Sequence, residues 1–433
     1  MKQVIVNAQI YDFHRYIQNG YMVFDKTIIK VGLMSEYVAD GTFEIDMHGH
    51  IVLPGLVCAH THIYSTLARG LSLPFNPRNF KEILAQMWWK IDRHIDNEMS
   101  YYSSLVAGVD FLKNGVTTII DHHASGGDIT GSLTKLEEGV NEVGIRGAFA
   151  FEVSDRFDTA QAIEENVSFI ESHQQGDNRG LFGLHASLTL KDETLTKVKE
   201  KLGQYPIHIH VAESAMDETD CMEKHSKRVI NRLDDFGLIN PDSIIVHAVH
   251  VNDEEIAIIR KRNAVIACNV TSNLNNAVGL PNILKFMDAG IPVIIGNDGI
   301  SHAMASEYAS LYFAMHHRYE SPTKFNLDHL LTLINHTYEY VSRLFNKRIG
   351  RLEAGYVADF MVVPYVAPAP MDATNAFGHV FFGLFLALKP RFVYTAGCQR
   401  IKDYCLLDAE VMTKYENAKT ISKRLWDDIK QEQ

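Results

Sequence analysis

The chain has 433 residues, 46% of them hydrophobic and 22% charged, which is the balance of an ordinary globular protein. A formal net charge of −12 argues against nucleic acid or an anionic membrane as the main partner. No apolar stretch nears the length of a membrane span and no apolar signal segment follows the N-terminus, so a cytoplasmic protein is expected. The cysteines Cys58, Cys221, Cys268, Cys398 and Cys405 are scattered and form no CxxC pair, as in a reduced compartment.

Residues 1–50 show strand-like alternation at Val4–Val6, Lys26–Val31 and Phe43–Asp46, with turn residues between and no long helix. Then comes "LPGLVCAHTHIYSTLARG" at 53–70, an apolar run ending in two histidines one residue apart. On a strand, side chains at i and i+2 share a face, so His60 and His62 project together from one strand end. Two imidazoles converging on a divalent cation make better sense than two imidazoles filling a core, although a lone His-x-His pair is weak evidence. In the long segment that follows, the adjacent Trp88 and Trp89 read first as core or helix interface, and second as a lid.

Short β-rich runs then alternate with amphipathic stretches such as Thr194–Leu202 and Glu254–Arg262. Beginning with 56–60, the runs are 116–123, 145–152, 180–187, 206–213, 243–250, 264–270 and 291–298. This repetition predicts an α/β fold, a (β/α)8 TIM-type barrel. Almost every run ends in a group that can bind metal or move protons: His60 and His62, His122, Glu152, His185, His210 and Glu213, His247, Asp298. The C-terminal strand ends of a closed barrel surround one cavity, so these residues would converge there.

Within that pattern the positions differ. His208 and His210 both point inward, with His210 nearer the open end and His208 a hydrogen-bonded core histidine. Glu213 lies three past His210 and reaches the cavity only if the chain turns at Ala212; its alternative is a first-turn helix glutamate. His247 is expected inward, with His250 at the rim. His185 reads as a substrate contact or a structural histidine, and the parts played by His122 and His123 are left open. Asp298, between an apolar run and Gly299, would carry a large desolvation cost unless it meets a cation.

Strand character returns in "IGRLEAGYVADFMVV" and "RFVYTAGCQRI". Each chain end is too short for a stable β domain alone. The expected organisation is therefore a small composite β-sandwich from 1–53 and 355–405, a catalytic barrel at 54–354, and a charged helical segment at 406–433.

The ordered set "PGLVCAHTH", "GVTTIID", "HVAE", "VHAVH", "TSN" and "GNDG" resembles the amidohydrolase superfamily, in the branch holding guanine, cytosine and adenosylhomocysteine deaminases and triazine hydrolases. Within that branch "LPFNPRNFKEILAQMWWK" is similar to the SsnA-type aminohydrolases. The resemblance covers essentially the whole chain. It implies one divalent transition metal, Zn2+ or Fe2+, on His60, His62, His210 and Asp298. It makes Glu213 a proton shuttle, with His247 and Asp298 orienting a metal-bound hydroxide. Substrate contacts are expected at His185, Glu152, Ser272 and Asn273. The implied reaction is deamination of an amino-substituted, purine-like N-heterocycle. Alternatives are hydrolysis of a cyclic amide or loss of halide on the same mononuclear site, or a catalytically silent binding protein. The fourth strand end reads "LHAS", without the lysine that would bridge two metals. Two departures from the branch, no proline before Ser272-Asn273 and none in "LHASLTL", bear on the substrate pocket. A homodimer is expected by analogy.

Overall fold

The computed structural model describes residues 2–432. Eight parallel strands form the centre: Leu56–Thr61, Val116–His123, Arg146–Phe151, Phe182–Ala186, Ile207–Val211, Ile244–His247, Val265–Cys268 and Val293–Ile295. The first three pair in order, as do the last five. Two isolated parallel bridges, Val153 to Leu184 and Thr61 to Asp298, join the two groups into a (β/α)8 ring. At both joints the backbones approach too closely for a side chain. A Cβ on Gly183 would lie 2.2 Å from the Phe151 carbonyl oxygen, and one on Gly296 would lie 2.6 Å from the His60 carbonyl oxygen. These strands read as unbroken apolar runs because helices such as Thr159–Ser172, Asp192–Leu202 and Asp253–Lys261 cover their outer faces.

The chain ends share one nine-stranded sheet. Its spine runs from Cys405–Leu406 through Cys398–Lys402, Phe392–Thr395 and Phe360–Val363 to Ile51–Pro54, then to Gln3–Tyr11, Tyr16–Phe24 and Ile28–Leu33. Phe43–Asp46 pairs separately with Gln3–Tyr11. The two ends meet where Phe360–Val363 runs antiparallel to Ile51–Pro54. Phe24 and Phe360 lie three strands apart, so a flat sheet would separate them by roughly 14 Å. Their rings are 5.0 Å apart instead. The sheet is therefore curled over its own apolar cluster, which includes Ile5, Met22, Phe24, Phe360 and Tyr394. A buried ion pair, Arg146 Nη1 to Asp359 Oδ2 at 2.7 Å, ties this sheet to the start of the third barrel strand.

The stretch expected to be purely β near 355–405 also carries a helix, Ala376–Gly383. Its sequence AFGHVFFG is apolar nearly all round, and Phe377 and Phe381 are buried against the barrel core. Near the C-terminus, the helix Ala409–Gln431 buries Val411, Ala418, Leu425 and Ile429, a stripe at helical spacing. It lies along Asn97–Lys113 and the turn Ile63–Ala68 that follows the first barrel strand. No helix among the described residues is long and apolar enough to cross a membrane.

Candidate metal centre and active site

His60 and His62 leave the end of the first barrel strand, His210 the fifth, His247 the sixth, and Asp298 follows the eighth. Their side chains meet at one point. His62 Nε2 lies 3.1 Å from His210 Nε2 and 2.9 Å from Asp298 Oδ1, and His60 Nε2 lies 3.3 Å from the same oxygen. Ligand atoms of His60, His210, His247 and Asp298 all fall within 4.8 Å of one another.

Neighbouring groups fix the tautomers. The Nδ1–H of His62 donates to the His122 carbonyl oxygen at 2.7 Å, and the Nδ1–H of His210 donates to that of His185 at 2.8 Å. Each ring therefore turns its Nε2 toward the cluster. His60 Nδ1 lies 2.8 Å from His208 Nε2, which makes His208 the partner that orients the first ligand ring. These two ring nitrogens, 3.1 Å apart, repel unless a proton or a metal cation lies between them. Tetrahedral Zn–N bonds of about 2.0–2.1 Å place ligand atoms about 3.3 Å apart, close to the separations here. The donor set of three imidazoles and a carboxylate thus fits one divalent transition metal.

Electrostatics favour the same reading. Burial lowers His60 to about 4 and His247 to about 3, and holds His210 well below the usual imidazole range, so all three are neutral, as His60 and His210 must be to act as ligands. Burial also opposes charge on His62, but without a cation the Asp298 carboxylate outweighs it and raises that ring to about 9, so a metal bound here would take the place of the Nε2 proton. Burial works against ionised Asp298 in turn, and its contacts with His62 and His60 keep it well below the carboxylate range. The cluster draws positive charge to one spot.

His247 is turned the other way. Asn273 donates its amide N–H to Nδ1 at 3.0 Å, leaving the proton on Nε2. That buried nitrogen has no hydrogen-bond partner and stands 3.5 Å from Glu213 Oε2. Asn276 donates to Glu213 Oε1 at 3.2 Å. Burial first, and then the Asp298 charge, push Glu213 up to about 8. That shift, together with its place beside His247 Nε2, suits it to exchange a proton near neutral pH.

Backbone strain gathers at the same place. Ala212, His247, Ala248 and Asp298 have φ of 47°, 68°, 50° and 58°. Left-handed backbone costs a residue with a Cβ about 1–2 kcal/mol. At each of these strand ends it breaks the alternation and re-aims the side chains around the centre.

A pocket opens over the cluster. Tyr64, Phe80, Leu84, Trp88 and Trp89 give it an apolar side, while Asp92, Glu152, His185, Glu213 and Asp217 give it polar groups. Of the four expected substrate contacts, His185 and Glu152 line this pocket. Ser272 and Asn273 are buried behind the site, where Ser272 Oγ donates to Asp298 Oδ2 at 2.5 Å and Asn273 holds His247. Trp88 and Trp89 are on the pocket wall. His123 is buried with Ser100 Oγ at 3.2 Å, His250 donates to the Val278 carbonyl at 2.8 Å, and His122 Nε2 lies 3.1 Å from the Leu184 and His208 carbonyls.

Sequence reasoning overlooked Asp92, Arg156, Asn276 and Asp217. Arg156 bonds Asp92 Oδ2 at 2.7 Å and also bonds Glu152, closing the wall beside Trp89. Only Asn276 left a trace, since it sits one helical turn beyond Ser272.

The amidohydrolase family model matches residues 51–397. A 5'-deoxyadenosine deaminase of Methanococcus maripaludis is 27% identical over 387 residues, covering 85% of this chain and 87% of that protein. A 5-methylthioadenosine/S-adenosylhomocysteine deaminase of Syntrophomonas wolfei is 29% identical over 369 residues, covering 80% and 81%. Among solved structures, a zinc-bound adenosine deaminase from Xanthomonas campestris superposes with a TM-score of 0.83 at 20% identity, covering 98% of each chain. The guanine deaminase of E. coli gives 0.77 at 18% identity, covering 93% of this chain and 99% of that one.

Proposed function

The chain belongs to the amidohydrolase family, and from that premise we propose that it deaminates an amino-substituted N-heterocycle of purine type, an adenine nucleoside in the first instance. The observation that supports this reading is the close approach of His60, His62, His210 and Asp298, with buried Glu213 beside them and raised to about 8. The named deaminases, aligned over most of their length, support the nucleoside class.

In this reading the four residues hold one divalent ion, Zn2+ or Fe2+. Bound there, the ion would supply Lewis acidity and lower the pKa of the attacking water. Glu213 accepts a proton from the attacking water and delivers it to the ring nitrogen next to the carbon that bears the amino group. His247 keeps its Nε2–H aimed at the oxygen being added, held by Asn273. Asp298 takes the remaining proton and passes it to the departing amine, which leaves as ammonia. His185 and Glu152 contact the heterocycle, and the aromatic wall of Tyr64, Trp88 and Trp89 excludes water. We further propose a cytoplasmic homodimer.

Ammonia release from the metal-loaded protein, across purine nucleosides, purines, pyrimidines, pterins and triazines, tests the proposal. Turnover is expected on an adenine nucleoside. No ammonia from any member would overturn it, and chloride released from a chlorotriazine instead would establish halide hydrolysis.

A further inference from the structure

Glu213 occupies a place that strand geometry denies it. The fifth barrel strand, Ile207–Val211, sends His208 and His210 inward, so three residues past His210 a side chain should point away. The exception is made at Ala212, which is left-handed at φ 47° although it is not glycine. Both of its backbone groups are held. Its carbonyl accepts the His250 N–H at 3.1 Å, and its N–H donates to Asp217 Oδ2 at 2.8 Å.

Asp217 lies in the first turn of the helix Ala215–His225, where a carboxylate is ordinarily a helix-dipole partner. Here it does something else. The cap is already supplied by Ser214, whose Oγ accepts the Met216 N–H. Asp217 is 3% exposed, and its bond runs back outside the helix to the residue just before Glu213. A carboxylate taken out of water needs such a partner.

We infer that Asp217 is a positioning residue, whose carboxylate pins the left-handed turn at Ala212 and so sets where the Glu213 side chain stands. Its catalytic consequence rests on the reading of Glu213 as proton carrier; the positional claim does not.

Asp217→Ala removes the acceptor, Asp217→Asn keeps an oxygen able to accept the Ala212 N–H, and Ala212→Gly lets the turn form without strain. Crystal structures of the metal-loaded variants are the primary readout. Glu213 should leave Asn276 and His247 in Asp217→Ala, stay in Asp217→Asn, and return in Asp217→Ala/Ala212→Gly. On a substrate, displacement of Glu213 should lower kcat about 10²-fold with metal content unchanged. Asp217→Asn should retain most of the kcat that Asp217→Ala loses, with any effect of its place on the pocket wall read in KM, and the double variant should recover most of the loss. Should Asp217→Ala not fold, Asp217→Ser, too short to reach Ala212, carries the same test. Glu213 unmoved in the variant that lacks the acceptor overturns the inference. A displaced Glu213 with undiminished turnover supports the positional claim and refutes Glu213 as proton carrier.

Discussion

In the proposed reaction, residue chemistry would divide the work between groups that hold a cation and a group that moves protons. Glu213→Gln preserves shape and the Asn276 contact but cannot exchange a proton. We expect the variant to fold and keep its metal while losing about 10²–10⁴-fold in turnover; equal turnover on any substrate would remove Glu213 from the mechanism. Ser272 acts one step back, through its 2.5 Å bond to Asp298 Oδ2. Ser272→Ala frees that carboxylate to rotate, and metal affinity should fall about 10–100-fold in a competition titration against a chelator. An unchanged affinity would mean that packing alone orients Asp298. The convergence of His60, His62, His210 and Asp298 was legible in sequence because strand ends meet in a barrel. The place of Ser272 and Asn273 was not. Both were expected on the substrate, and only the fold shows that the short helix carrying them, Val270–Asn275, stands behind Asp298 and His247.

Single elements explain why the pocket has its walls. The segment with Trp88 and Trp89 carries a five-residue π-helical turn, Leu84–Trp88, which turns its aromatic side toward the cavity. A sequence pattern of adjacent aromatics does not distinguish this from ordinary helix packing. Behind the segment lies the C-terminal helix. Leu425 and Ile429 pack with Tyr64, Leu67, Ile91 and Ile95, and the Trp426 indole donates to the Leu67 carbonyl at 2.8 Å. Leu425 is fully buried. Leu425→Ala should cost about 2–5 kcal/mol in denaturant unfolding; a loss below 1 kcal/mol would show that this helix is loosely attached. The helix itself was readable from its charge and spacing. Its buried partner was not, because nothing local links residue 425 to residue 64.

For the whole molecule, the curled sheet built from both chain ends makes the barrel dependent on its termini. Eight strands were readable from periodicity, and the pairing of the ends followed from each being too short alone. The helix at Ala376–Gly383 was missed because an all-apolar run has no amphipathic period to read. A chain starting at Val52 would leave Phe360–Val363 without most of its sheet and bare the apolar cluster around Phe360 and Tyr394. It should be insoluble or melt far below the full chain although every proposed ligand remains, and a soluble, metal-binding product with an unchanged melt would show the N-terminal strands to be an appendage. The central claim, one metal ion driving one deamination, is tested most directly by titrating metal-stripped protein with Zn2+ and following ammonia release from an adenine nucleoside. The account predicts no release without metal and a rise that ends at one equivalent per chain. Full activity after complete metal removal, or a rise that continues to two equivalents, would contradict it.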